Sequence, residues 1–211
     1  MLCPEPALPD NGVSTGRYAI ARYRIATRGA PSHAGIRPAD GVSALRELCH
    51  RVIEIEAMSG SGCTFSVNGI GSGQWVNCVP DHASAEVLSM AQTDEDLARG
   101  TAALRAMAGT RNGVVFEVEQ SVVRPVWENG RRETMALYDI ADQIATSLGQ
   151  TLYATSSGGG SDANFTGAMG IPSLCSLGAA GAGLHTLDEH IDITSLVPRA
   201  RLLAGLFLGL A

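Results

Sequence analysis

The alternation of apolar and polar residues in the first half of the chain predicts a small α+β domain. Residues 17–27 alternate between two faces, which is typical of a half-buried strand. Helical spacing begins after Asp40, an expected N-cap, and again after Thr93, which forms an acidic capping box with Asp96. Further strands are predicted at residues 64–70, 77–90 and 114–123. The order strand, helix, strand, strand, helix, strand predicts a four-stranded antiparallel sheet with both helices on one face.

Beyond Arg124-Pro125 the pattern changes to helices that alternate with short buried strands. Helices are predicted at residues 134–148 and from Leu196 onward, and strands at 151–155 and 171–177. This order is typical of an α/β domain, in which functional loops gather at the carboxyl ends of parallel strands.

The first twelve residues are rich in proline and turn formers. They are expected to be the end of a strand and its exit loop, with no core of their own, so we expect the α/β domain to begin upstream of residue 1.

Composition limits the kinds of partner that the protein is expected to bind and the cell compartment in which it is expected to act. The 211 residues carry a net charge of -6, so there is no basic excess to bind a phosphate backbone, and nucleic acid is not expected as a partner. No apolar run is long enough to span a bilayer and the N-terminus does not resemble a signal peptide, so we expect a cytoplasmic protein without membrane contact. The five cysteines lie in apolar segments without Cys-x-x-Cys spacing, which favours reduced, buried thiols over disulfides or metal ligands.

Two residues are candidate metal ligands. Glu5 stands between two prolines, and His185 follows a glycine-rich stretch after a predicted strand. A zinc ion that activates water generally needs three protein ligands and one open position, and the chain offers two convincing candidates. Taken singly, Glu5 is better explained as a solvated carboxylate and His185 as a loop histidine without a ligand role.

Three further positions are candidates for substrate contacts. The loop Gly158, Gly159, Gly160, Ser161 lies between a strand and a helix, where backbone N–H groups can hold an anion. It is neither a Walker loop nor a nucleophile elbow, so it favours a carboxylate, although a purely structural glycine loop stays open. Arg124 is either a carboxylate clamp or half of a structural ion pair, and His33 is taken singly as a loop histidine.

Several of these motifs occur in an order that resembles the bacterial metal-dependent exopeptidases. That family includes glutamate carboxypeptidase, acetylornithine deacetylase and succinyl-diaminopimelate desuccinylase. The motifs are Glu5-Pro6, Ser32-His33-Ala34-Gly35, Asn77-Cys78-Val79-Pro80, Arg124-Pro125, Gly158-Gly159-Gly160-Ser161-Asp162-Ala163 and Gly183-Leu184-His185. The resemblance covers the whole chain and implies the second half of such an enzyme.

The implied fold is a partial α/β/α zinc-exopeptidase domain with an inserted α+β, ferredoxin-like dimerisation domain. Residues 13–126 would form the insert and a homodimer, with residues 1–12 and 127–211 in the catalytic domain. The resemblance further implies two zinc ions in the complete enzyme, with cobalt or manganese as possible substitutes. Glu5 would bind one metal ion and His185 the other.

The resemblance also assigns roles around the substrate. His33 and Asn77 would reach the neighbouring subunit's site and stabilise an oxyanion. Arg124 and the loop Gly158 to Ser161 would hold the free carboxylate of a small N-acyl amino acid or peptide. The family's His-x-Asp pair, bridging aspartate and general base would precede residue 1, and Met90 replaces an arginine that many members carry.

The expected function is therefore a metal-dependent hydrolase of the carboxypeptidase or N-acyl-amino-acid amidohydrolase type, inactive as this chain alone. The alternatives are a non-catalytic dimerisation or small-molecule-binding protein derived from such an enzyme, and an anion-binding domain that uses only the glycine loop.

Overall fold

The computed structural model of the chain describes residues 1–60 and 62–210. The strands are β1 Gly12–Arg17, β2 Ala19–Arg28, β3 Cys63–Ser72, β4 His82–Ala91, β5 Gly109–Arg111, β6 Val114–Arg124, β7 Tyr153–Ser157, β8 Gly181–Ala182 and β9 His190–Ile191. The helices are α1 Ala44–Ala57, α2 Asp94–Ala106, α3 Arg132–Ser147, α4 Ala163–Ala168 and α5 Leu196–Gly209.

The chain divides into two compact units. The first unit comprises Met1–Tyr18 and Arg124–Ala211, and the second unit comprises Ala19–Val123. The sequence predicts an insert at residues 13–126, whereas the compact second unit begins later because β1 pairs in parallel with β7 of the first unit. One strand predicted at residues 17–27 is accordingly divided, with Arg17 ending β1 and Ala19 beginning β2.

The second unit is a five-stranded sheet in the order β3-β4-β2-β6-β5. Four of these strands and both helices confirm the predicted α+β arrangement. Alternate residues of β2 are buried, including Tyr23 and Ile25, while Arg22 and Arg24 are exposed, so one face of the sheet carries the core. The helices α1 and α2 both pack against β2, β3 and β4.

The fifth strand, β5, is absent from the sequence-based prediction because its three residues are too short to show alternation. It forms a hairpin with β6 through Asn112-Gly113, and both residues have positive φ. This dipeptide is a strong hairpin marker that periodicity alone does not detect.

The start and the buried face of α1 differ from the prediction. Ser43, not Asp40, is the N-cap, since its Oγ accepts a hydrogen bond from the Arg46 N–H at 3.2 Å. The sequence predicts that Cys49 and Ile53 are buried, but both are exposed. Glu47 and Arg51 are buried instead.

Pairing explains why two charged residues of α1 are buried. Glu47 Oε1 accepts hydrogen bonds from Arg51 Nε at 2.9 Å and from Arg111 Nε at 2.6 Å, and Arg51 lies 4.8 Å from the centroid of the Phe116 ring. Partners of this kind compensate desolvation and cannot be read from helical periodicity. The cap of α2 is as predicted, with Thr93 Oγ1 accepting from the Asp96 N–H at 3.0 Å.

The first unit is built around the parallel pair β1 and β7, with α3 packed against α5. Its largest cluster of buried apolar residues is Val13, Leu137, Ala141, Ala145, Leu152, Leu174, Leu177, Leu202 and Leu206. The helices predicted at residues 134–148 and from Leu196 are present as α3 and α5.

The strand predicted at residues 171–177 is reduced to two isolated bridges. Leu174 O accepts from the Cys3 N–H, and Cys175 O accepts from the Ser14 N–H, both at 2.9 Å. Ser176 has a φ of 62°, which ends the extended conformation. The segment still lies between the N-terminal residues and β1, which in turn pairs with β7.

Among the described residues, no helix combines the length and apolar character that a membrane crossing requires. The cysteines are free; Cys3, Cys63 and Cys175 are buried, whereas Cys49 lies exposed on α1, where burial was expected.

Candidate functional site

The glycine loop of the first unit connects β7 to α4 and is fixed at its C-terminal end. The Ser161 N–H donates to Asn164 Oδ1 at 2.9 Å. Asn164 is fully buried, and its Nδ2 donates to the carbonyls of Tyr18 at 2.9 Å and Pro125 at 2.8 Å. The Asn164 side chain therefore ties the loop to the chain near Tyr18 and near Pro125, both in the first unit. The sequence analysis does not identify this residue.

The inner side of this loop contacts a second residue that the sequence prediction missed. Arg17, at the end of β1, is only 6% exposed, and its Nη1 donates to the Gly159 carbonyl at 2.6 Å. Its Nη2 lies 3.2 Å from both Cys175 Sγ and Ser176 Oγ. Arg17 belongs to the alternating pattern of residues 17–27, and that pattern gives no hint that its side chain turns toward a loop far along the chain.

The buried thiol of Cys3 lies beside Cys175 in the same region. Burial, together with the neighbouring Cys175 thiol, raises the pKa of Cys3 to about 11. At pH 7 about one such thiol in ten thousand is ionised. Cys3 is therefore a protonated, inert group under neutral conditions.

Alkylation kinetics test this assignment of the thiols. We expect iodoacetamide near neutral pH to modify exposed Cys49 first and to leave Cys3 unmodified in the folded protein, because the thiolate is the reactive form and Cys3 is both buried and protonated. Peptide mass spectrometry measures the order, and the same reaction in denaturant, where every cysteine should react, is the control. Equal native rates at Cys3 and Cys49 would contradict the buried environment.

Arg124 lies next to the glycine loop. Its Nη2 is 3.6 Å from Asp162 Oδ1, and its Nε is buried without a hydrogen-bond partner. Asp162 is largely exposed, so this ion pair is worth little and leaves the guanidinium available to another carboxylate. The geometry is compatible with both alternatives from the sequence, a structural ion pair and a substrate clamp.

The two candidate metal ligands lie in separate loops of the first unit. The Glu5 carbonyl accepts from the Gly178 N–H at 2.8 Å, and its side chain is half-buried. His185 lies exposed between β8 and β9 with a φ of 64°, and its N–H donates to Glu189 Oε2 at 3.0 Å. A left-handed conformation is uncommon for a histidine and indicates a constrained loop.

The carboxylate of Glu5 and the imidazole of His185 are ligand types that zinc accepts, but two ligands are too few for a hydrolytic site. Across residues 1–60 and 62–210, no group of three or more His, Cys, Asp or Glu side chains is arranged to hold a metal ion. Because a hydrolytic zinc generally takes three protein ligands, the described chain does not form a complete metal site.

In the second unit, the loops that carry His33 and Asn77 lie side by side. The Ala34 N–H donates to the Asn77 carbonyl and the Val79 N–H to the Ser32 carbonyl, each at 2.9 Å. His33 Nδ1 accepts from the N–H groups of Gly35 and Ile36, each at 3.2 Å. A neutral imidazole that accepts at Nδ1 carries its proton on Nε2, so His33 presents a hydrogen-bond donor. Both side chains are exposed.

Comparison with known proteins identifies the family. Residues 15–114 match the peptidase dimerisation domain of the M20 family. Carboxypeptidase G2 of Pseudomonas sp. (strain RS-16) is 30% identical over 208 residues, which cover 95% of this chain and 50% of that protein. The chain belongs to the M20 exopeptidase and amidohydrolase family. It spans about half the length of the curated relatives it matches.

Solved structures support the fold. A tripeptidase from Staphylococcus aureus has a TM-score of 0.78 at 23% identity, with 97% of this chain and 55% of that chain covered. The YXEP protein of Bacillus subtilis, described as a dinuclear metal-binding M20 peptidase, has a TM-score of 0.64 at 17% identity, with 99% and 56% covered. The M20 fold thus extends over both compact units of the chain.

Proposed function

We propose that the complete protein to which this M20 chain belongs is a metal-dependent hydrolase that cleaves an amide bond next to a free carboxylate. Its type would be that of a carboxypeptidase or an N-acyl-amino-acid amidohydrolase. The observation that carries the proposal is the pairing of His33, whose Nε2 is set as a donor, with Asn77 on the adjacent loop. Two exposed side chains that can donate hydrogen bonds, carried on loops joined by the Ala34 N–H to Asn77 carbonyl bond, suit the oxyanion of a tetrahedral intermediate, and a purely structural insert has no need of them.

Each remaining candidate has a role in this proposal. His33 and Asn77 act in the active site of the partner subunit, within a homodimer formed through residues 13–126. Arg124 and the loop Gly158 to Ser161 hold the substrate carboxylate. We expect cytoplasmic action on small N-acyl amino acids or peptides, with neither nucleic acid nor membrane as a partner.

Glu5 and His185 contribute one ligand each to a two-metal centre. Zinc is the expected metal, with cobalt or manganese as alternatives, and the metal would supply the activated water. Since the described residues lack a three-ligand cluster, we expect the other ligands and the proton-shuttling glutamate to lie outside residues 1–211.

Zinc titration of residues 1–211 tests this division. We expect weak binding without a defined stoichiometry, and no hydrolysis of N-acyl amino acids, because two ligands do not make a hydrolytic centre. Calorimetry measures the binding. His185→Ala should weaken it further, whereas the matched control His190→Ala, at a histidine whose Nδ1 contacts the Asp188 carbonyl at 2.7 Å, should not. Tight, stoichiometric zinc binding by this chain would contradict the proposal.

The second candidate function is a non-catalytic dimerisation or small-molecule-binding protein derived from such an enzyme. The missing three-ligand cluster in the described chain is the observation that favours it. Sequencing upstream of the Met1 codon separates the two candidates. An in-frame region with His-x-Asp and Glu-Glu motifs favours the enzyme, and a promoter with a start site at Met1 favours the second candidate.

A further inference from the structure

Arg17 is a buried cation that the proposed chemistry leaves unexplained. It is 6% exposed, and no carboxylate in the described part of the chain forms an ion pair with it. Its polar contacts are a carbonyl, two hydroxyls and a thiol, and its Nε has no partner. Burying an uncompensated charge is costly, so the burial of Arg17 points to a bound counter-charge or to a role in positioning its neighbours.

The contacts of Arg17 set the orientation of one peptide group in the glycine loop. Nη1 donates to the Gly159 carbonyl at 2.6 Å and contacts Ser157 Oγ at 3.4 Å. The same Ser157 Oγ accepts from the Gly159 N–H at 3.3 Å. Both polar groups of Gly159 are therefore held on the side of the loop that faces β1.

The next amide must then point the other way. In a trans peptide the N–H of residue 160 is directed opposite to the carbonyl of residue 159, and this peptide is trans. With the Gly159 carbonyl held by Arg17, the Gly160 N–H is directed away from the guanidinium. Within the described residues, that N–H makes no hydrogen bond.

We propose that Arg17 is a positioning residue for the recognition of the substrate carboxylate. It fixes the Gly159 carbonyl inward so that the Gly160 N–H faces the carboxylate, and its unpaired charge behind the loop favours an anion there. The inference rests on the proposed function, in which the loop Gly158 to Ser161 holds that carboxylate. Arg17 acts through the loop and does not itself contact the substrate.

The test is a titration of the ¹⁵N-labelled full chain with N-acetyl-L-glutamate, with N-acetylglutamine amide as the uncharged comparison. We expect the Gly160 amide resonance to shift with the acid and not with the amide. Arg17→Met should raise the dissociation constant for the acid about tenfold and abolish the Gly160 shift. Arg17→Lys, which keeps the charge but not the planar fork, should give an intermediate effect. Arg201→Met, at an exposed arginine of α5, is the matched control.

The outcomes separate the inference from the proposed function. If the wild-type loop does not respond to the acid, the carboxylate role of the loop fails and the inference with it. If the wild-type loop responds and Arg17→Met binds equally with the Gly160 shift intact, Arg17 has only a structural role and the loop assignment survives. If the spectrum of Arg17→Met loses its amide dispersion, that variant is unfolded and Arg17→Lys becomes the test. Wild-type affinity of Arg17→Lys for the acid, together with a wild-type Gly160 shift, would overturn the inference.

Discussion

Replacement of His33 by alanine is expected to lower kcat of the complete enzyme by about 10²- to 10³-fold with little change in KM. The loss of one oxyanion donor has this size because the donor acts on charge that develops only in the transition state. The expectation depends on the geometry of the loop, in which the Gly35 and Ile36 N–H groups occupy Nδ1 and leave Nε2–H as the donor. Steady-state kinetics on an N-acyl amino acid measures both constants.

His50→Ala is the matched control for this variant. His50 is an exposed histidine on α1 of the same unit and should leave both constants unchanged. If His33→Ala changed kcat no more than His50→Ala does, the oxyanion role would be refuted. A rise in KM at unchanged kcat would instead assign His33 to ground-state binding.

Gly167→Ala is expected to destabilise the first unit by about 2 kcal/mol. Helix propensity alone predicts the opposite, since alanine is favoured over glycine within a helix by about 1 kcal/mol. A Cβ at Gly167, however, would overlap the indole ring of Trp127. Trp127 is fully buried, and its backbone is paired with Arg17 in both directions, at 2.8 and 3.0 Å, so the ring has no room to retreat.

Urea unfolding followed by tryptophan fluorescence measures this effect, in a Trp75→Phe background that leaves Trp127 as the reporting residue. Gly209→Ala is the matched control, because Gly209 is an exposed helical glycine of α5 whose added Cβ would meet its nearest atom, Ile144 Cδ1, at 3.4 Å. We expect that control to be neutral or stabilising. A Gly167→Ala protein as stable as wild type would show that the packing of α4 on Trp127 is looser than described.

The parts of the fold that follow local rules could be predicted from the sequence. The alternation in β2 and the Thr93 cap of α2 depend on neighbours within a few residues, and both are found. The buried pair Glu47 and Arg51 was missed because Glu47 is also paired with Arg111 of β5, which is distant in sequence and reaches α1 only in the folded unit.

The same limit applies to the candidate site. Glycine, histidine and proline residues indicate the loops that carry His33 and Gly158 to Ser161, so these two loops could be predicted from the sequence. Arg17 and Asn164 were not, because each acts on backbone groups that the fold brings to it from far along the chain. Residues that position a loop leave no local pattern, whereas residues that form a loop do.

An assay of the full-length gene product with zinc, manganese or cobalt distinguishes the proposed hydrolase from a non-catalytic relative. The substrates are a panel of N-acetyl, N-succinyl and N-carbamoyl amino acids and dipeptides, each paired with its C-terminal amide. We expect hydrolysis of at least one acid, and we expect that activity to be lost with a chelator, restored by metal, and absent for the paired amide. Metal-independent hydrolysis, equal rates on acids and amides, or no activity on any member of the panel would contradict this expectation.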